Sequence, residues 1–305
     1  MPASPAAKGG AKIRKYTRRD YMGLAYISIW VVGMLLFQLY PFFSSLYYSF
    51  TNYNIAKADF VGISNYVKLF TQDAEFFNSV KVTALYTLMT VPGKLIMALL
   101  VALILNTKLK GINLVRTVYY LPSLMGGSIA VSILWKLMFA DTGIVNNLLS
   151  QIGLPSISWL GSTSMALPTI CMLEIWQFGS SMVLMLAALK QVPAELYEAA
   201  SIDGAKKLRQ FFVITFPQIS PIVFFNLIMQ TIQAMQNFTS AFVVTNGGPM
   251  KATYVLGMKL YADGFSKFKM GYASATSWVI FVMIVVVTLI LFGTSRFWVS
   301  YSDED

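Results

Sequence analysis

Glu198-Ala199-Ala200-Ser201-Ile202-Asp203-Gly204, continuing to Ile214-Thr215-Phe216-Pro217, is a polar and charged stretch set between two long apolar segments. Pro193 suits the first turn of a helix, where its missing N–H would be unpaired in any case. The pattern predicts a short helix from about Ala194 to Ile202. Asp203-Gly204 ends it, because glycine accepts the left-handed conformation that closes a helix. Ala199 and Ala200 add little bulk, so another protein can approach the backbone closely. Glu198 offers that partner a charge, and Leu196 and Tyr197 offer apolar contact.

The flanking segments belong to a membrane protein. Of 305 residues, 56% are hydrophobic and 12% charged, where a soluble domain carries about 25% charged residues. Six apolar segments are each near or above the roughly 20 residues that a spanning helix needs. They run from about Met22 to Phe50, Val80 to Leu105, Val115 to Phe139, Met165 to Leu189, Pro217 to Thr245 and Tyr272 to Trp298. The expected fold is all-α and polytopic, with six transmembrane helices. A basic tail covers residues 1–20, a six-helix domain covers 21–300 with a cytoplasmic loop at 190–216, and an acidic end covers 301–305. The tail is not a cleavable signal, since the apolar run after it is too long and no small-residue site follows.

Charge sets the orientation. With the amino terminus inside, the inner regions hold fourteen Lys and Arg and the outer loops six, as the positive-inside rule favours. Both termini are then cytoplasmic. Lys251, Lys259, Lys267 and Lys269, in one outer loop, run against the rule. The net charge of +10 lies mostly at the ends of apolar segments, so no nucleic-acid partner is expected. Absence of histidine removes His-based acid–base chemistry and His metal sites. Cys171 stands alone and can form no internal disulfide.

The spacing from Glu198 through Gly204 and Ile214 to Pro217 resembles the cytoplasmic E-A-A loop of ABC importer permeases. That pattern is E-A-A, three residues, G, nine residues, I, any residue, L, P; Phe216 stands where leucine is usual. Three further stretches resemble the carbohydrate-uptake branch, the maltose and glycerol-phosphate type. They are Phe60-Val61-Gly62-Ile63-Ser64-Asn65-Tyr66, Asn246-Gly247-Gly248-Pro249 and Phe268 to Ala275. The first resembles in particular the first of the two unlike permeases of such systems. The resemblance implies a bacterial cell-membrane subunit that forms half of a sugar pathway and works by alternating access. Its implied partners are a second permease, two ATPase subunits and an extracytoplasmic sugar-binding protein, besides membrane lipid. It also implies ATPase coupling through Leu196, Tyr197, Glu198, Ala199, Ala200, Asp203 and Gly204. No Gly-rich loop ending in Gly-Lys-Ser or Gly-Lys-Thr occurs. ATP and Mg are therefore expected on the ATPase subunits, with no cofactor, metal or catalysis on this chain.

Polar residues inside the spans are the candidates for substrate contact. Gln230, Gln233, Gln236, Asn237 and Ser240 recur at steps of three and four, one stripe of a helix. Amides donate and accept, which suits sugar hydroxyls; they also bond helices to one another. Gln230 and Asn237 fall closest to sugar-contacting positions of the resembling family. Glu174, Gln177 and Ser180 form a second series, and an ionisable residue within a span is a functional candidate by default. Ser123, Gly127 and Ser128 follow Pro122, where a bend opens space or small residues pack helices closely. Lys94 calls for a partner carboxylate or a water-filled cavity. A secondary, ion-coupled transporter of a polar solute is the alternative, but such proteins usually show internal repeats or several intramembrane carboxylates. A membrane enzyme would need clustered acids or a metal site.

Overall fold

The computed structural model describes residues 18–107 and 109–300. The basic tail up to residue 17, Lys108 and the acidic end at 301–305 lie outside it. The described residues are helical, with a single antiparallel bridge between Thr51 and Phe60.

The helices are α1 (Arg18–Met34), α2 (Tyr40–Ser49), α3 (Ser64–Thr71), α4 (Ala74–Leu105), α5 (Ile112–Leu124), α6 (Ile129–Met138) and α7 (Ile144–Gln151). After them come α8 (Ala166–Trp176), α9 (Gly179–Leu189), α10 (Ala194–Ile202), α11 (Lys207–Gln210), α12 (Phe216–Met235), α13 (Thr239–Thr245), α14 (Leu256–Tyr261) and α15 (Met270–Ser295). Wide π-helical turns join α1 to α2, join α11 to α12, and follow α14.

Four stretches are continuous and apolar enough to span: Ala25–Ser49, Ala74–Leu105, Lys207–Met235 and Met270–Ser295. The other two expected spans are bent pairs, α5 with α6 at 99° and α8 with α9 at 45°. The sharper bend has a local cause. Gly127 is left-handed, at φ +70°, and the chain turns through Ser128 N–H to Met125 O before α6 begins. The expected fifth span, to Thr245, also breaks. Helix α12 ends at Met235 and the backbone resumes as α13 after three residues.

Helix α4 is the central post, packed against α8, α9, α12 and α14. Ala98 and Ala102 are fully buried on one face of it, and small residues let helices approach closely. They join a core with Ile170, Met182, Met185, Leu186 and Ile219. The most apolar window of the first span has no fully buried residue, as a lipid or partner face requires.

The outer loops are pinned by the residues that the family pattern marks. Asn65 donates to the carbonyls of Ser49 and Thr51, both at 2.9 Å, and Tyr66 donates to Ser49 Oγ at 2.7 Å. Gly271 N–H donates to Tyr53 O at 2.9 Å. A side chain at Gly271 would collide with Thr51 O, so glycine there lets α15 start against the first outer loop.

Candidate functional site

The polar groups inside the spans meet where α4, α8 and α12 converge. Gly93 makes that meeting possible. A Cβ there would lie 2.6 Å from Ile175 Cδ1, so glycine lets α4 lie against α8 with the Ile175 side chain in its present position. The next residue, Lys94, then faces Glu174, with Nζ 3.9 Å from Oε2. Their side chains are 8% and 22% exposed. Both line a cavity of about 40 Å³ with Tyr86, Thr90, Val91, Gln230, Gln233, Ala234 and Asn237. It holds a few waters at most.

Asn237 is oriented by Ser240, whose Oγ donates to Asn237 Oδ1 at 2.9 Å. That leaves Asn237 Nδ2 buried with no hydrogen-bond partner. The Thr90 hydroxyl is likewise buried and unpartnered. Unpaired buried polar groups cost roughly 1–3 kcal/mol each, so these two are unsatisfied until a further group or water meets them.

Of the expected residues, Glu174, Gln230, Gln233 and Asn237 line this cavity, and Ser240 stands behind Asn237. The rest separate from it. Because α12 stops at Met235, Gln236 turns away into a different groove with Phe42, Ser45 and Trp278. The break after α8 divides the second series. Gln177 is buried beside Gly126, and Ser180 is exposed. Ser123 donates to Tyr120 O at 2.7 Å, within its own helix. Tyr86 and Thr90 were not among the expected residues. They sit two turns and one turn before Lys94 on α4, so helical periodicity from Lys94 would have found them.

A larger open groove of about 580 Å³ lies at the end of the bundle where the start of α4 meets α14 and the start of α15. Most of its charges are paired, Lys68 and Lys269 excepted. Lys259 Nζ lies 2.5 Å from Asp73 Oδ2 and 2.9 Å from Asp263 Oδ2, and Lys267 lies 2.9 Å from Asp263 Oδ1. Lys251 pairs with Glu75. Three of the four outer lysines that oppose the charge rule thus have carboxylate partners. Burial would raise the pKa of Asp73, but hydrogen bonds from Lys259, Tyr272 and the Phe76 N–H outweigh it and hold it below the ordinary value. A hydrogen bond to Asp263 raises Lys267.

At the opposite end of the bundle, α10 runs from Ala194 to Ile202 as expected. Gly204 is left-handed at φ +77°. Its N–H donates to Ser201 O, and the Ala205 N–H donates to Ala200 O at 2.9 Å, the paired bonds of a Schellman closure. Glu198, Ala199, Asp203 and Gly204 are exposed, as is Leu196, while Ala200 and Tyr197 are half-buried. Tyr197 Oη is 2.8 Å from Thr215 Oγ1. Ile202, at 88% exposed, adds an apolar tip.

A model of the binding-protein-dependent transport system inner membrane component matches residues 76–299. The chain belongs to this family. It is 43% identical over 298 residues, 96% of each chain, to the probable ABC transporter permease protein YesP of Bacillus subtilis (strain 168). It is 36% identical to the sulfoquinovosyl glycerol transport system permease protein SmoG of Agrobacterium fabrum, with 83% of each covered. A bacterial alginate ABC transporter crystallised with its alginate pentasaccharide-bound periplasmic protein has a chain of the same fold. That chain matches at TM-score 0.80 and 24% identity, with 92% of this chain and 95% of that one covered.

Proposed function

We propose that this permease forms half of the pathway of an ATP-driven importer that moves a saccharide delivered by an external binding protein. The observation that carries the reading is the polar cavity at the meeting of α4, α8 and α12. It gathers two opposite charges and three amides, of which Gln230 is buried, Asn237 half-buried and Gln233 exposed, at a helix junction of an apolar bundle, where such groups are costly unless they meet one another, water or a ligand. SmoG's substrate is a sugar derivative by name, and family membership supports dependence on a binding protein. The second wall of the pathway belongs to the partner permease. Both termini and α10 face the cytoplasm, and ATP and Mg act on two ATPase subunits.

In this scheme α10 is the docking element. Its exposed carboxylate at Glu198 meets a cation on the ATPase, and Leu196 and Ile202 enter an apolar recess. The left-handed Gly204 sets the angle at which the helix leaves the membrane domain. A Val there would cost about 1–2 kcal/mol in the left-handed region. The test is ATP hydrolysis by the reconstituted complex, stimulated by loaded binding protein. Glu198→Lys and Gly204→Val should each abolish most of the stimulation while sugar binding by the external protein stays unchanged. Wild-type stimulation in both variants would make α10 a mere connector. An ion-coupled transporter would instead import without any ATPase.

A further inference from the structure

Among the described residues, Lys94 makes one charged contact, Glu174 at 3.9 Å, and none of its three N–H donors is in a hydrogen bond. The two members of this pair are not equivalent. Lys94 is the more deeply enclosed, and Glu174 keeps almost three times its exposure. The Glu174 carboxylate thus keeps partial contact with solvent, and the ammonium keeps less. A buried cation needs a counter-ion at every stage, because its desolvation costs several kcal/mol. The 3.9 Å separation, outside hydrogen-bonding range, marks Glu174 as a replaceable one.

Two further groups in the same cavity lack partners: the Thr90 hydroxyl, which can donate or accept, and an amide N–H, which only donates. Asn237 Oδ1 is occupied by Ser240, and its Nδ2 is buried and unpartnered. Gln230 and Gln233 already supply the donors and acceptors that neutral sugar hydroxyls require. A lysine in the span adds nothing to hydroxyl recognition that amides lack, and it is far more expensive to bury. What it adds is charge. An ammonium and an amide N–H converging on one small cavity match the two oxygens of a carboxylate.

We propose that Lys94, with Asn237, recognises a carboxylate on the transported saccharide, and that Glu174 is the counter-ion it exchanges for that carboxylate. The substrate class is then a uronate-bearing saccharide. This rests on the reading of the cavity as part of the pathway. Lys94 binds the acidic group as an unprotonated anion, and no covalent step is involved.

The test uses the complete importer in proteoliposomes with one and the same binding protein. The probes are matched pairs of uronate-bearing oligosaccharides and their carboxyl-reduced counterparts. The wild type should import the acidic member of a pair in preference to the reduced one. Lys94→Met should lower import of the acidic member about tenfold to a hundredfold, the loss of one charged hydrogen bond, and change import of the reduced member little. Lys94→Arg should keep the preference. The double variant Lys94→Met with Glu174→Met removes both charges, leaves no lone buried ion, and should show the same loss of preference. Because the binding protein is constant, a changed ratio belongs to this chain. An unchanged ratio in the double variant, or import of reduced members alone by the wild type, overturns the proposal and leaves the saccharide pathway standing. Import of neither class by the wild type overturns both.

Discussion

Two charged clusters in this molecule have the same ingredients and opposite construction. At the end of the bundle where α4 starts, Lys259 is 1% exposed and held between two carboxylates at 2.5 and 2.9 Å. Asp73 accepts further bonds from Tyr272 Oη, at 2.6 Å, and from the Phe76 N–H. Lys259, Asp73 and Asp263 each meet an opposite charge. In the middle of the bundle, Lys94 and Glu174 are 3.9 Å apart, and two neighbouring polar atoms lack partners. A saturated cluster joins segments: this one ties α14 and its following turn to the start of α4. An unsaturated cluster has capacity to spare and suits a visiting group.

That contrast can be broken most directly at Lys259. Lys259→Met leaves Asp73 and Asp263 without their shared cation, and breaking a buried pair costs about 3–5 kcal/mol. Thermal unfolding of the purified protein should show a large loss for Lys259→Met. The double variant Lys94→Met with Glu174→Met should unfold near the wild-type temperature, since removing both members of a buried pair is often neutral. Equal losses would mean that both clusters are structural.

A smaller effect is expected at Gly93. Gly93→Val forces Ile175 aside, and overpacking of this kind costs about 1–3 kcal/mol. It should also separate Lys94 from Glu174. Sugar uptake should fall while the ATPase still co-purifies with the complex, and Gly93→Ala should fall between Gly93→Val and the wild type. Uptake unaffected by valine would detach transport from this helix contact.

The smallest effect is in pH. The folded pKa of Asp73 is lowered, so its stabilising contribution is fully present above the ordinary carboxylate value. It is lost as pH falls through the lowered one. The folded pKa of Lys267 is raised. Its contribution is present below the ordinary lysine value and is lost as pH rises through the raised one. Lys267 is 45% exposed, and solvent screens such a pair. The Lys259 cluster's stabilisation should thus be level from roughly pH 5 to pH 9 and decline on both sides. Unfolding curves of Asp73→Asn against the wild type measure the acid limb, which the variant should flatten.

The six apolar segments and α10 were legible because their signals are local. Hydropathy needs a window of about 20 residues, and the turn at Gly204 is specified by its own glycine. Pairing across the fold was not legible. Lys94 and Glu174 are 80 positions apart, and nothing near either one says that Gly93 draws α4 onto Ile175. The outer lysines looked anomalous because the charge rule counts residues and cannot see that Asp73, Glu75 and Asp263 stand beside them. Gln236 was grouped with Gln233 and Asn237 on the assumption of one unbroken helix. The end of α12 at Met235 sends it to another face. The break after α8 parts Glu174 from Ser180 in the same way.

The bond between Tyr197 and Thr215 has a mechanical consequence. Thr215 closes the π-helical turn in the stretch Lys207–Met235, whose far end carries Gln230 and Gln233. At 1.5 Å per residue, those 29 residues make a rod about 43 Å long. A tilt of about 5° around its midpoint would displace each tip by roughly 2 Å, in opposite directions. That travel is about twice the roughly 1 Å between a 3.9 Å contact and a hydrogen bond. If the stretch moved as one body, a displacement at the Tyr197–Thr215 bond would reach Gln230 and Gln233 at its other end.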